Sequence, residues 1–113
     1  MSVVIVGGHE RMERIYKDTG KKHGCKVKVF TKMERDFHKR IGNPDYILMF
    51  TDVTSHKLVN TALKISKKKN IPNLRLHNSS LQTLEKALEQ VKGLNVKLSD
   101  VRDLEEAILR YWY

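Results

Sequence analysis

The stretch Val3-Val4-Ile5-Val6-Gly7-Gly8-His9 decides how the rest of the chain reads. Four consecutive β-branched apolar residues predict a strand buried on both faces, as in a parallel sheet. The two glycines allow a tight backbone turn, and His9 opens a charged stretch, Glu10-Arg11-Met12-Glu13-Arg14, that reads as the start of a helix. Strand, glycine turn and helix form the unit from which an open α/β sheet builds a crevice at the carboxyl ends of its strands. Two later segments repeat it. Tyr46-Ile47-Leu48-Met49-Phe50 runs into Thr51-Asp52-Val53-Thr54-Ser55-His56, and Asn73-Leu74-Arg75-Leu76 ends at His77. Three predicted strands thus each deliver a histidine near one rim.

Between these units the periodicity is helical. Met12, Ile15, Tyr16, Thr19 and His23 share a face of a helix expected from about Glu10 to His23, stopped by Gly24. Cys25 to Phe30 alternates apolar residues with lysine, which predicts a strand at a sheet edge. Lys32 to Ile41 is a short charged helix or turn, closed by Gly42-Asn43-Pro44. Leu58, Val59, Ala62, Leu63 and Ile65 mark the buried face of a helix capped by Thr54 or Ser55. Lys67-Lys68-Lys69 suit the carbonyl end of that helix better than a nucleic-acid patch. Ser79 with Gln82 has the form of a capping box for a helix to about Val91, closed by Gly93. Leu94 to Leu98 is a candidate fifth strand, and a helix is expected over about 100–111, followed by Trp112 and Tyr113.

Strands alternating with helices predict a single α/β domain over residues 1–113. It is a flavodoxin-like three-layer sandwich with a mostly parallel sheet of four or five strands, ordered 2-1-3-4(-5). The 40% hydrophobic and 31% charged residues suit one soluble core rather than a disordered chain. Lys and Arg number 22 against 13 Asp and Glu, a formal charge of +9 that favours anionic company. The single Cys25 cannot form an internal disulfide and reads as a small packing residue. No membrane-spanning apolar run or secretory leader is evident, so the expected location is the cytoplasm, with no membrane partner.

In the 2-1-3-4 order, strands 1 and 3 flank the topological switch point. His9 and His56 then face each other across the crevice, and His77 ends the next strand over. Gly7, Gly8, Glu10, Asp52, Ser55 and Ser79 belong to the same rim. Neutral imidazole is the commonest metal ligand, and carboxylates complete or orient such shells. The plainer alternative is that histidines and serines near helix starts simply solvate a polar edge. No third glycine completes a dinucleotide fingerprint, and Walker, HExxH and GxSxG patterns are absent. Nucleophilic catalysis has no support, and the reading leans away from an enzyme.

The elements Val3-Ile5-Val6-Gly7-Gly8-His9, Asp52-x-x-Ser55-His56 and Ser79-Ser80 resemble the bacterial family called domain of unknown function 2325, over about residues 3–88. The resemblance makes His9 and His56 marker positions and implies haem binding; it carries no role for His77.

The leading expectation is therefore a non-enzymatic haem- or metal-binding domain, acting as a gas or redox sensor or carrier. His56 or His9 would be the ligand to haem or a divalent transition metal, with His77 as an additional candidate. A small-molecule anion- or phosphate-binding regulatory domain is the second reading, resting on backbone amides at the glycine turn. A basic nucleic-acid-associated accessory protein is the third, and is not favoured. A homodimer is expected through the C-terminal helix and Tyr111, Trp112 and Tyr113, whose apolar area suits an interface.

Overall fold

The computed structural model describes residues 1–93. Four strands, β1 (Ser2–Val6), β2 (Lys26–Phe30), β3 (Tyr46–Phe50) and β4 (Asn73–Leu76), form one all-parallel sheet in the order β2-β1-β3-β4. The helices are α1 (Glu13–Lys22), α2 (Phe37–Ile41), α3 (His56–Lys69) and α4 (Leu81–Gly93). The fold is the single-domain flavodoxin-like α/β sandwich that the strand pattern predicted. The candidate fifth strand, the final helix and Tyr111, Trp112 and Tyr113 lie outside the described residues.

Register explains why the central strands are apolar throughout. Val3 pairs with Tyr46 and Val27, and Ile5 with Leu48 and Val29. Odd positions of β1 therefore share a face with even positions of β3. On that face Val3, Ile5, Tyr46, Leu48, Leu74 and Leu76 pack under Tyr16 of α1 and under Leu84, Ala87, Leu88 and Val91 of α4. On the other, Val4, Val6, Ile47 and Met49 pack under Phe37 and Ile41 of α2 and Leu58, Ala62 and Ile65 of α3. β1 and β3 have no solvent face, which is what a run of β-branched and aliphatic residues requires. β2 and β4 are edges among the described residues, and Lys26, Lys28 and Arg75 carry their exposed positions.

The first helix differs from expectation at its start. Glu10–Met12 is a 3-10 turn, closed by the Met12 amide donating to the His9 carbonyl at 2.9 Å, and regular α-helix begins at Glu13. This rotates the stripe so that Tyr16 and Thr19 are buried and Ile15 is exposed. Asn70 ends α3 in the left-handed conformation at φ 56°, and the buried Ser66 hydroxyl donates to the Ile71 carbonyl while accepting from the Asn73 amide at 2.7 Å. These bonds fix the entry to β4, and hence where its carboxyl end emerges.

Candidate functional site

The carboxyl ends of β1, β3 and β4 lead into three loops that are tied to one another. Gly7 leaves β1 at φ 99° and donates to the Phe30 carbonyl at 2.8 Å; Gly8 follows at φ 83° and donates to the Val53 carbonyl at 3.0 Å. Both glycines occupy backbone that L side chains rarely adopt, and space is absent as well. A Cβ on Gly7 would lie 1.9 Å from Thr54 Oγ1, and one on Gly8 would lie 2.8 Å from the Tyr16 hydroxyl. The glycine pair therefore serves close packing against the loop after β3 and against α1.

The loop after β3 is joined to the loop after β4. The Thr51 amide donates to the Leu76 carbonyl at 2.8 Å. Asp52 Oδ2 accepts from the Ser79 amide at 3.0 Å and from the Ser79 hydroxyl at 3.1 Å. Thr54 Oγ1 stands 2.5 Å from the Phe50 carbonyl and 2.6 Å from that of Val53, folding its loop back onto the strand end. Tyr16, fully buried in α1, donates its hydroxyl to the Ser79 carbonyl at 2.7 Å and stacks at a tilt on Phe50, with centroids 5.3 Å apart. Burial raises the Tyr16 pKa above the ordinary tyrosine value, the bond to Ser79 opposes this, and the Asp52 charge adds to it.

His9 is exposed just beyond the glycine turn, where its backbone caps the 3-10 turn and its side chain makes no capping bond. His56 is exposed as the first residue of α3, and His77 is exposed immediately after β4. Ser55 caps α3, its hydroxyl accepting from the Leu58 amide at 3.2 Å. Glu10 forms an exposed ion pair with Lys32 at 3.1 Å, tying the loop after β1 to the loop after β2. Ser79 does not cap α4. Its amide and hydroxyl both go to Asp52, and Ser80 takes the capping role, accepting from the Thr83 amide at 3.2 Å.

The rim thus gathers the starts of α1, α3 and α4, each a region of partial positive charge. Among the described residues no three His, Cys, Asp or Glu side chains are grouped so as to hold a metal ion. Thr51, which the sequence left without a role, helps lock the rim. Three others had a sequence signal but another assignment: Tyr16 as a packing residue of the helical stripe, Thr54 as a candidate cap of α3, and Ser80 as a marker of the family resemblance.

The model of a family described as "Uncharacterized protein conserved in bacteria (DUF2325)" matches residues 2–91. The chain belongs to this family. The match takes in all four strands and the three rim loops, so the glycine turn, the Asp52 loop and the Ser79-Ser80 loop all lie within the DUF2325 region. No curated protein matches this DUF2325 chain. A solved structure titled as the yeast Spc42 trimeric coiled-coil, amino acids 181–211, fused to another structure, is 22% identical with a TM-score of 0.51. The alignment covers 98% of this chain and 80% of that one, and shows a shared fold.

Proposed function

We propose that this DUF2325 domain is a non-enzymatic haem-binding module that takes the iron through a single rim imidazole, His56 or His9. The observation that carries this reading is the exposure of two histidines on the loops that flank the switch point between β1 and β3. Neither ring has a hydrogen-bond partner among the described residues, so their nitrogens are open to a ligand.

The donor set favours haem over a bare ion. A divalent ion bound by protein alone asks for three or four side chains, and the described residues group no such set. A haem brings four nitrogens of its own and asks the protein for an axial ligand, apolar walls and cations near its propionates. The rim supplies the imidazole, and Arg11 and Lys57 are exposed beside His9 and His56. It does not supply the walls. The exposed large apolar side chains among the described residues are Met1, Ile15 and Met33, none of them on the three loops. A second copy of the chain is the natural source of the missing wall, which makes dimerisation part of the proposal. Bound there, haem would supply reversible coordination of a diatomic gas or a one-electron couple. The chain's part is to fix the imidazole through the cross-tied loops.

The test is the absorption spectrum of freshly purified full-length protein, repeated after haemin addition. A Soret band at one haem per chain or per two chains, lost in His56→Ala or His9→Ala, is expected. Its absence from reconstituted wild type overturns the reading. The anion-binding reading rests on the three helix starts at one rim; it predicts phosphate binding that is insensitive to both histidine substitutions and lost with a bulky side chain at Gly8.

A further inference from the structure

Away from the rim, a groove of about 420 Å³ runs along the outer edge of β2. Val27, Lys28 and Val29 form its floor, Lys17 of α1 stands on one side, and Lys39 and Arg40 of α2 stand on the other. β2 pairs only with β1 among the described residues. The Lys26 amide donates to the Met1 carbonyl and the Phe30 carbonyl accepts from Gly7, so even-numbered residues of β2 direct their backbone groups at β1. Backbone groups alternate in direction along a strand. Val27 and Val29 therefore point their N–H and C=O groups into the groove, where no described residue takes them. An unpaired strand edge walled by two helices is a template for another strand.

Charge selects the occupant. Two carboxylates line the groove, and both are already paired, Glu13 with Lys17 at 3.3 Å and Glu34 with Arg40 at 2.5 Å. Lys28, which donates to the Arg40 carbonyl at 3.1 Å, and Lys39 contribute charge that no carboxylate balances. A second copy is a poor fit. A two-fold antiparallel pairing centred on residue 28 sets Lys28 against its own equivalent, and one centred on residue 27 sets Lys26 against Lys28. Like charges opposed across a strand pair are destabilising. We propose that the open edge of β2 docks an extended acidic segment of a partner protein, added to the sheet as a strand. Side chains of that segment on the α2 side carry carboxylates facing Lys28 and Lys39. Those on the opposite side are apolar and lie beside Val27 and Val29, which share the α1 face of the sheet. The recognised pattern is thus an alternation of acidic and apolar residues.

The experiment is fluorescence anisotropy of the full-length chain with a labelled, end-blocked octapeptide of alternating Glu and Val. Two companion probes are used: the same peptide N-methylated at alternate residues, and one with Lys in place of Glu. Binding of the first is expected, weakened about tenfold or more by N-methylation, by Lys28→Glu with Lys39→Glu, and by high salt. The N-methylated probe tests the backbone pairing without altering the protein, so a folding defect in the double variant leaves the result readable. Equal binding of all three peptides, or no binding of the first, overturns the proposal. So does a full-length dimer that becomes monomeric on Val27→Pro, since the edge would then belong to a second copy.

Discussion

Replacing Gly7 by alanine tests whether the rim is held by backbone geometry or by its side chains. At φ 99°, an L residue sits in a region that costs about 1–3 kcal/mol. The new methyl would also meet Thr54 Oγ1 at 1.9 Å and the Phe50 carbonyl at 2.8 Å. Relief requires Thr54 to swing away and give up the hydrogen bond its hydroxyl donates at the end of β3, a further loss of about 1 kcal/mol. The expected total is about 2–4 kcal/mol, a large part of the ~5–15 kcal/mol available to a domain of this kind. Thr54→Ala in the same chain removes the Oγ1 clash and leaves the φ strain, the Phe50 contact and the Thr54 Cβ at 3.1 Å. It also removes the hydroxyl whose bonding Gly7→Ala has already broken, so Thr54→Ala should cost about 1 kcal/mol in the wild type and almost nothing further in the Gly7→Ala chain. Urea unfolding followed by circular dichroism gives both numbers, and exchange of the Gly8 amide, which donates to Val53, reports the rim directly. A Gly7→Ala protein within 0.5 kcal/mol of wild type, taken as roughly the measurement limit, would refute the argument. Full recovery in the double variant would assign the effect to Thr54 alone.

Two tyrosines make opposite predictions. Tyr16→Phe loses the bond to Ser79 and should destabilise by about 1–2 kcal/mol, whereas the Tyr46 hydroxyl is buried without a partner among the described residues, so Tyr46→Phe should be neutral or stabilising by up to about 1 kcal/mol in the same urea assay. Burial raises both phenol pKa values, so the folded state holds both protons more tightly than the unfolded chain does. Their contribution is thus complete below about pH 10 and is lost as pH rises from there through the folded-state values; stability measured across that window should fall less steeply in either phenylalanine variant. At the start of α4, Ser80→Ala should cost about 1 kcal/mol in unfolding free energy as a lost cap, and Ser79→Ala distinctly less, because Ser79 keeps its amide bond to Asp52; equal costs would restore Ser79 as the cap.

The sheet was legible because burial on both faces leaves an unmistakable trace: Val3 to Val6 and Tyr46 to Phe50 contain no polar residue, and lysine alternation marked β2 as an edge. The 2-1-3-4 order followed from the flavodoxin-like pattern that an edge strand β2 and two fully apolar strands suggest. What escaped was set by contacts between segments distant in sequence. Ser79 has the spacing of a capping box, yet Asp52, 27 residues earlier, claims its amide and hydroxyl and passes the cap to Ser80. The 3-10 start of the first helix, where Ile15 falls outside the buried stripe, has a local origin instead, the closure of Met12 on His9. Placement of His9, His56 and His77 after β1, β3 and β4 needed only the strand assignment. Their failure to form a three-ligand group depends on loop geometry that no spacing encodes.

The central claim, that the histidines flanking the β1–β3 switch point hold the ligand, is tested most directly by histidine-selective NMR of the full-length protein titrated with haemin. The chain has five histidines, and His23, at the carboxyl end of α1, serves as an internal control away from the rim. The account predicts that the ring signals of His9 and His56 broaden first under the paramagnetic iron, that one of them disappears at stoichiometric haem, and that His23 persists. Broadening of His23 ahead of the rim pair, or five unchanged signals at saturating haemin, would contradict it.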